Sequence, residues 1–222
     1  MLKRTDGKQK GDAGFSLIEL LIAMSITIGI TGIAATMLAT SLNLRTRENS
    51  RTDSIADVQR GLNIMAREIS IGGYGFDSPS NGLVPGDCDN SSVRVRSNLN
   101  RYTENSTNIQ SPSEDIKYLV DSTNNQNYLV RFDRFAAAGN QTTVLANRVD
   151  RLDLVYLGTG NTVLDVGADP SQVANAIGLR IKVSVDLQAV GSPGAPGYQP
   201  ATTIELESDV ALRNKNENLS SY

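Results

Sequence analysis

The chain has 222 residues, a formal net charge of −3, one cysteine and neither histidine nor tryptophan. Triads with a histidine base and zinc sites with histidine ligands are therefore excluded, and a single cysteine forbids an intrachain disulfide. The acidic balance argues against a protein that coats nucleic acid, and the length suits one compact domain with an appendage.

Residues 1–14 carry Lys3, Arg4, Lys8 and Lys10 against Asp6 and Asp12, a net cationic leader. From Phe15 to Leu44 the only charge is Glu19. As a helix, that stretch rises about 45 Å, more than the ~30 Å of a bilayer's hydrocarbon core. An uncleaved membrane anchor satisfies this length. A secretory signal peptide fits poorly, because its apolar region runs about 7–15 residues and closes on a small-x-small site.

The residues at the junction offer a third reading. Gly14-Phe15-Ser16-Leu17-Ile18-Glu19-Leu20-Leu21-Ile22-Ala23-Met24 resembles the prepilin cleavage and methylation motif of type IV pilins and type II secretion pseudopilins. The likeness covers the basic leader, the Gly-Phe junction, the acid shortly after it and the unbroken apolar run. It implies cleavage after Gly14 by a prepilin peptidase on the cytoplasmic side, and N-methylation of the new terminal Phe15.

The acid has a physical argument of its own. A carboxylate inside a membrane helix costs about 2.5–3.5 kcal/mol on insertion scales, so it needs a partner. Snorkelling to the interface is the alternative, poorly served by so short a stem. A chain starting at Phe15 brings a free amine to the same depth. Glu19 of one subunit can then pair with a neighbour's amine and set the axial register of a filament. Orientation rests on the motif more than on charge, since Arg45, Arg47 and Arg51 follow the far end of the run.

Gly29 and Gly32 sit within the apolar run. They serve either close helix packing or local unwinding when the subunit leaves the lipid. The proline that many major pilins have in this stretch is missing here, which weakens the second role.

Helical spacing continues past the membrane-length run. Ile55, Val58, Leu62, Met65 and Ile69 fall on one face, with Arg51, Asp53, Asp57, Arg60, Arg67 and Glu68 elsewhere. The expected result is one spine, residues 15–44 among lipids or other spines and residues 45–72 against the chain's own globular domain. Gly72-Gly73-Tyr74-Gly75 marks its stop. The segment Leu62–Ile69 leading into those glycines also resembles the minor pilin family PilW and its secretion counterpart GspJ.

Residues 73–214 are expected to form a β-rich globular domain and residues 215–222 a flexible tail. Alternating apolar runs predict about seven antiparallel strands: Val93–Val95, Ile116–Val120, Tyr128–Phe132, Thr142–Ala146, Leu152–Leu157, Leu179–Leu187 and Thr202–Leu212. The glycine and proline run Gly191–Gly197 should join the last two as a loose hairpin. Asp169-Pro170-Ser171 reads as the cap of one short helix over Val173–Ile177. Asn98–Ser113 and Asp121–Asn127 read as exposed loops. The fold class is α+β, one long helix covering an antiparallel sheet, which is the pilin-like roll that the resemblance implies.

Other candidates for chemistry are weak. Asp87, Asp89 and Asn90 flank Cys88 in a loop, but they miss the calcium-loop template and are ordinary turn formers. No metal or cofactor is expected. Cys88 reads as an idle buried thiol, with a bridge to a partner as the alternative. Scattered tyrosines such as Tyr74, Tyr102 and Tyr198 are the residue type of a base-stacking platform, against which the net charge argues.

The resemblance implies a structural subunit and no enzyme: a PilW-like minor pilin that helps initiate or cap type IV pilus assembly. A GspJ-like type II secretion pseudopilin is the alternative, followed by a pilus-tip adhesin or DNA-uptake module. Implied partners are the prepilin peptidase, the inner-membrane assembly platform, other minor and major pilins, and the lipid bilayer; no nucleic acid is expected. The implied location is the inner membrane, single-pass with the C-terminal domain in the periplasm, and then a pilus or pseudopilus at the cell surface.

Overall fold

Between Leu17 and Ser70 the chain holds 54 residues without a proline, and it forms one uninterrupted helix, α1 (Leu17–Ser70). Such a helix is about 80 Å long. The computed structural model describes residues 14–103, 107–123 and 126–215. The leader, apart from Gly14, and the tail, apart from Lys215, thus lie outside the described residues.

The helix ends where the sequence signals it. Ile71 is the C-cap, and Gly73 and Gly75 follow in the left-handed region at φ 78° and 72°. A side chain from the far end of the domain secures this turn: Asn214 Nδ2 donates to the carbonyls of Ile71 (3.2 Å) and Gly72 (2.9 Å). The exposed C-terminal carbonyls of a helix need such donors.

Eight strands follow among the described residues, in two sheets. β1 (Val93–Arg96), β2 (Asp115–Thr123), β3 (Gln126–Asp133) and β4 (Thr142–Asn147) form the first, in that spatial order. β5 (Arg151–Leu157), β6 (Val163–Leu164), β7 (Gly178–Leu187) and β8 (Thr202–Ala211) form the second, ordered β6-β5-β7-β8. Every pairing is antiparallel. The architecture is therefore α+β, one long helix packed on antiparallel sheets. The helix meets β4 of one sheet and β7 and β8 of the other.

The expected stripe forms the helix side of the core. Val58, Leu62, Met65 and Ile69 are buried together with Leu129 and Leu145 of the first sheet and Leu154, Ile181 and Val183 of the second. Ile55 is only half-buried, while Ser54 and Gly61 join the buried face. Gly61 has a packing reason: a Cβ there would stand 3.0 Å from Leu129 Cδ2. β7 alternates as predicted, with Leu179, Ile181, Val183, Val185 and Leu187 inward.

Four expectations need correction. The single sheet of about seven strands is two sheets with eight; the extra strand, β6, has two residues, too few to carry a period. Of the stretch 121–127, residues 124–125 lie outside the described residues, and the others, though largely exposed, are strand ends of β2 and β3 with a register that runs out to Thr123 opposite Gln126. The described part of the loop 98–113, which leaves out 104–106, is exposed or half-buried, but Asn98 at its start is buried, and the Glu114 carboxylate accepts from the amides of Asn100 (3.2 Å), Gln110 (3.0 Å) and Ser111 (2.8 Å). Finally, the short helix is a 3₁₀ segment, Pro170–Asn175, capped by the Asp169 side chain.

Candidate functional site

The three residues singled out by the junction motif fall within the first turn of α1 and its approach. Ser16 is the N-cap: its backbone is extended (φ −70°, ψ 144°), and its hydroxyl accepts from the Ile18 amide at 3.4 Å. Its own amide donates to Glu19 Oε2 at 2.9 Å. Together these are a capping box, in which two amides without helical partners are satisfied reciprocally. The helical ladder begins with the Leu20 amide on the Ser16 carbonyl at 3.2 Å. The Gly14–Phe15 peptide lies outside that ladder, and Phe15 is 88% exposed.

Glu19 thus has a local role beside any intermolecular one. The signal was present: Ser16 and Glu19 are spaced as a capping box requires, just before an apolar run. Only one carboxylate oxygen is used in this contact. A carboxylate offers about four acceptor sites, which leaves capacity for a further donor.

From Leu20 to Leu42 every residue of the helix is exposed. Ile22, Met24, Ile26, Ile28, Ile30, Ile33, Met37 and Leu38 are each more than half exposed. Five of its hydroxyls are satisfied within the helix. Ser25, Thr27 and Thr31 donate to the carbonyl four residues back at 2.8 Å, and Thr40 does so at 2.9 Å. A segment entering hydrocarbon must satisfy its polar groups in this way. α1 is long and apolar enough to span a membrane. Gly29 and Gly32 stand open: a Cβ on either would meet nothing within 4 Å, and the helix passes through them unbroken.

The second half of the spine is fastened to the sheets by charge as well as by apolar contact. Arg47 was expected as a flanking charge, yet it is 7% exposed. Its guanidinium donates to the carbonyls of Leu187 (3.3 Å) and Gln188 (2.5 Å) and to the Thr202 hydroxyl. It therefore ties the helix to both ends of the β7–β8 connection. Its spacing carried the clue, since Arg47, Ser54, Val58, Leu62, Met65 and Ile69 continue one helical face. Lower down, Arg131 Nε meets Glu68 Oε2 at 2.9 Å, and the Tyr118 hydroxyl donates to the same oxygen. Burial pushes the Tyr118 phenol well above its ordinary value, and the Glu68 charge adds to this.

The loop around Cys88 is committed to the protein itself. Asp87 pairs with Arg94 at 2.5 Å and Lys117 at 3.6 Å, and the Arg94 hydrogen bond holds its carboxyl below the usual range. Asp89 Oδ1 accepts from the amides of Ser91 and Ser92, each at 2.6 Å, as a turn-forming aspartate does. Arg94 also binds the buried Asp115 at 2.7 Å. Burial pushes the Asp115 carboxyl up, but the bonds and charges of Arg94 and Arg96 outweigh this and leave it lowered. Among the described residues no group of three or more acid, cysteine or histidine side chains is placed to hold a metal ion. Cys88 is 3% exposed; its sulfur contacts the Arg94 amide and carbonyl at 3.3 and 3.4 Å, and burial pushes its thiol up.

No protein-family model matches the chain, and no curated protein matches it.

Proposed function

We propose that the chain is a prepilin-like subunit, cleaved after Gly14, methylated on Phe15 and built as a structural component into a type IV pilus or a related secretion pseudopilus. The observation that carries this is the junction itself. A Gly-Phe peptide outside the helical ladder precedes a capped helix whose first turn holds the only acid of a thirty-residue apolar run. An accessible, non-helical peptide is what a peptidase needs. A long helix exposed at every residue from Leu20 to Leu38 is what lipid, and then neighbouring spines, would cover. The α+β arrangement, with the lower half of the spine packed on antiparallel sheets, is compatible with a pilin-like roll. The likeness of residues 62–75 to PilW favours a minor pilin that initiates or caps assembly. A GspJ-like pseudopilin shares the same features and is separated from it by the phenotype of a deletion, piliation or secretion.

Mass spectrometry of the N-terminus from the native host tests the reading directly: a methylated Phe15 is expected, and a chain that keeps its leader overturns it. In Gly14→Ala the leader should stay attached. A methyl at Gly14 meets nothing within 4 Å, so a processing defect there reports on the peptidase and not on folding. Glu19 is tested by two variants. Glu19→Gln keeps an oxygen for the Ser16 amide and loses the charge, whereas Glu19→Ala loses both. If the charge pairs with a neighbour's amine, both variants are cleaved and neither enters filaments; normal incorporation of Glu19→Gln would leave only the cap.

A further inference from the structure

The connection between β7 and β8 rises beyond the sheet and lies along the helix. Val190 and Gln199 form a two-way bridge at 2.9 Å, and within it Ala195 and Tyr198 donate to Ser192 (3.0 Å) and Ala195 (3.1 Å) in two successive turns. This tip sits close against α1. A Cβ on Gly197 would stand 2.4 Å from Thr40 Cα, and one on Gly191 would stand 3.1 Å from Asn43 Nδ2. Both glycines have positive φ, 78° and 84°. Only residues without a side chain permit both that conformation and that approach.

Thr40 marks a definite height. From Leu17 it lies about 35 Å along the axis, so with Leu17 at one edge of a ~30 Å hydrocarbon core Thr40 stands in the opposite headgroup layer. The tip is chemically suited to that layer. No charge occurs between Asp186 and Glu205, and the tip itself is glycine, proline, serine and alanine followed by Tyr198. Tyrosine is enriched at membrane interfaces because its ring is apolar and its tip polar. Arg45, exposed about 7.5 Å further along the axis toward the domain, has the reach to bring its guanidinium back to lipid phosphates.

We propose that the β7–β8 tip, Gly191–Tyr198, rests on the phospholipid headgroup layer and acts as a collar that sets how deeply α1 enters the bilayer. Arg47, bonded to the base of the tip, holds the collar at a fixed height on the helix. The proposal rests on the membrane-inserted reading of residues 15–44, and the test separates the two. The full chain, with Cys88→Ser, would carry an environment-sensitive fluorophore on Ala195→Cys, Ile28→Cys or Thr159→Cys in mixed phosphatidylethanolamine and phosphatidylglycerol vesicles. Thr159 follows β5 at the opposite end of the second sheet, a strand length of about 30 Å away. Lipids bearing a nitroxide on the headgroup should quench Ala195→Cys and spare Thr159→Cys, while acyl-chain nitroxides quench Ile28→Cys. Quenching at Ile28 without quenching at Ala195 overturns the collar and leaves the anchor intact. Absence of quenching at Ile28 overturns the anchor and the collar with it.

Discussion

Residues 17–44 and residues 45–70 of α1 share one backbone and one hydrogen-bond ladder, but their surroundings are opposite. The first stretch is exposed at every residue except Asn43, where the β7–β8 tip touches it. The second carries a buried face from Arg47 to Ile69. A helix side chain such as Met65 contributes about 1.5–3 kcal/mol when fully buried. The lower half therefore draws its stability from the domain. The upper half has comparable apolar side chains, but among the described residues only the β7–β8 tip, at Thr40 and Asn43, approaches it. One helix thus has a half that holds a domain together and a half long and apolar enough to cross a membrane.

The strongest test of this division puts one change in both halves. Met65→Asp places a carboxylate in the core and should cost about 4 kcal/mol or more, abolishing the domain's cooperative unfolding transition. Ile28→Asp should leave that transition unmoved in detergent while raising the cost of membrane insertion by about 2.5–3.5 kcal/mol. Thermal circular dichroism and a vesicle-flotation assay read the two outcomes. A melting defect in Ile28→Asp would show that the halves are not separate.

A smaller effect concerns the polar interior of the lower region. Asp115→Asn strips Arg94 of its buried partner and should cost about 3 kcal/mol in urea unfolding. The same cluster sets an acid limit. The carboxyls of Asp87 and Asp115 titrate lower in the folded chain than in the unfolded one. Their stabilisation is therefore complete above the ordinary aspartate value of about 3.9 and is lost as pH falls through the lowered folded values. A urea midpoint unchanged on acidification through that window would contradict the sign.

The smallest contrast uses glycine. Gly61→Val forces atoms into the space held by Leu129 and should cost about 1–3 kcal/mol. Gly29→Ala meets nothing and should strengthen the helix by up to about 1 kcal/mol. Helicity of the two variants in detergent would sharpen the comparison, and opposite signs are expected.

Local patterns made much of this legible. The spacing of Val58, Leu62, Met65 and Ile69 revealed the packed face because helical geometry returns a side chain to one side every three or four residues. The clean alternation of Leu179–Leu187 revealed β7 for the corresponding reason in strands. Arg47 was hidden by its charge, although its position on the same face pointed inward; its burial depends on carbonyls 140 and 141 residues away. Asp87 and Asp89 looked alike as turn-forming acids in a loop. Folding gave one to Arg94 and the other to the serines after it.

By itself the sequence determined the long helix, its apolar and amphipathic halves, its stop at Gly72–Gly75, the positions of seven strands and the junction motif at Gly14–Phe15. These follow from interactions among residues near one another in the chain, which leave a period or a spacing to read. Only the tertiary structure decided the partition of strands into two sheets, the burial of Arg47 and Asn98, and the seating of the Gly191–Tyr198 tip on Thr40. Those depend on which distant surfaces meet, and contacts across a hundred residues of chain leave no local period.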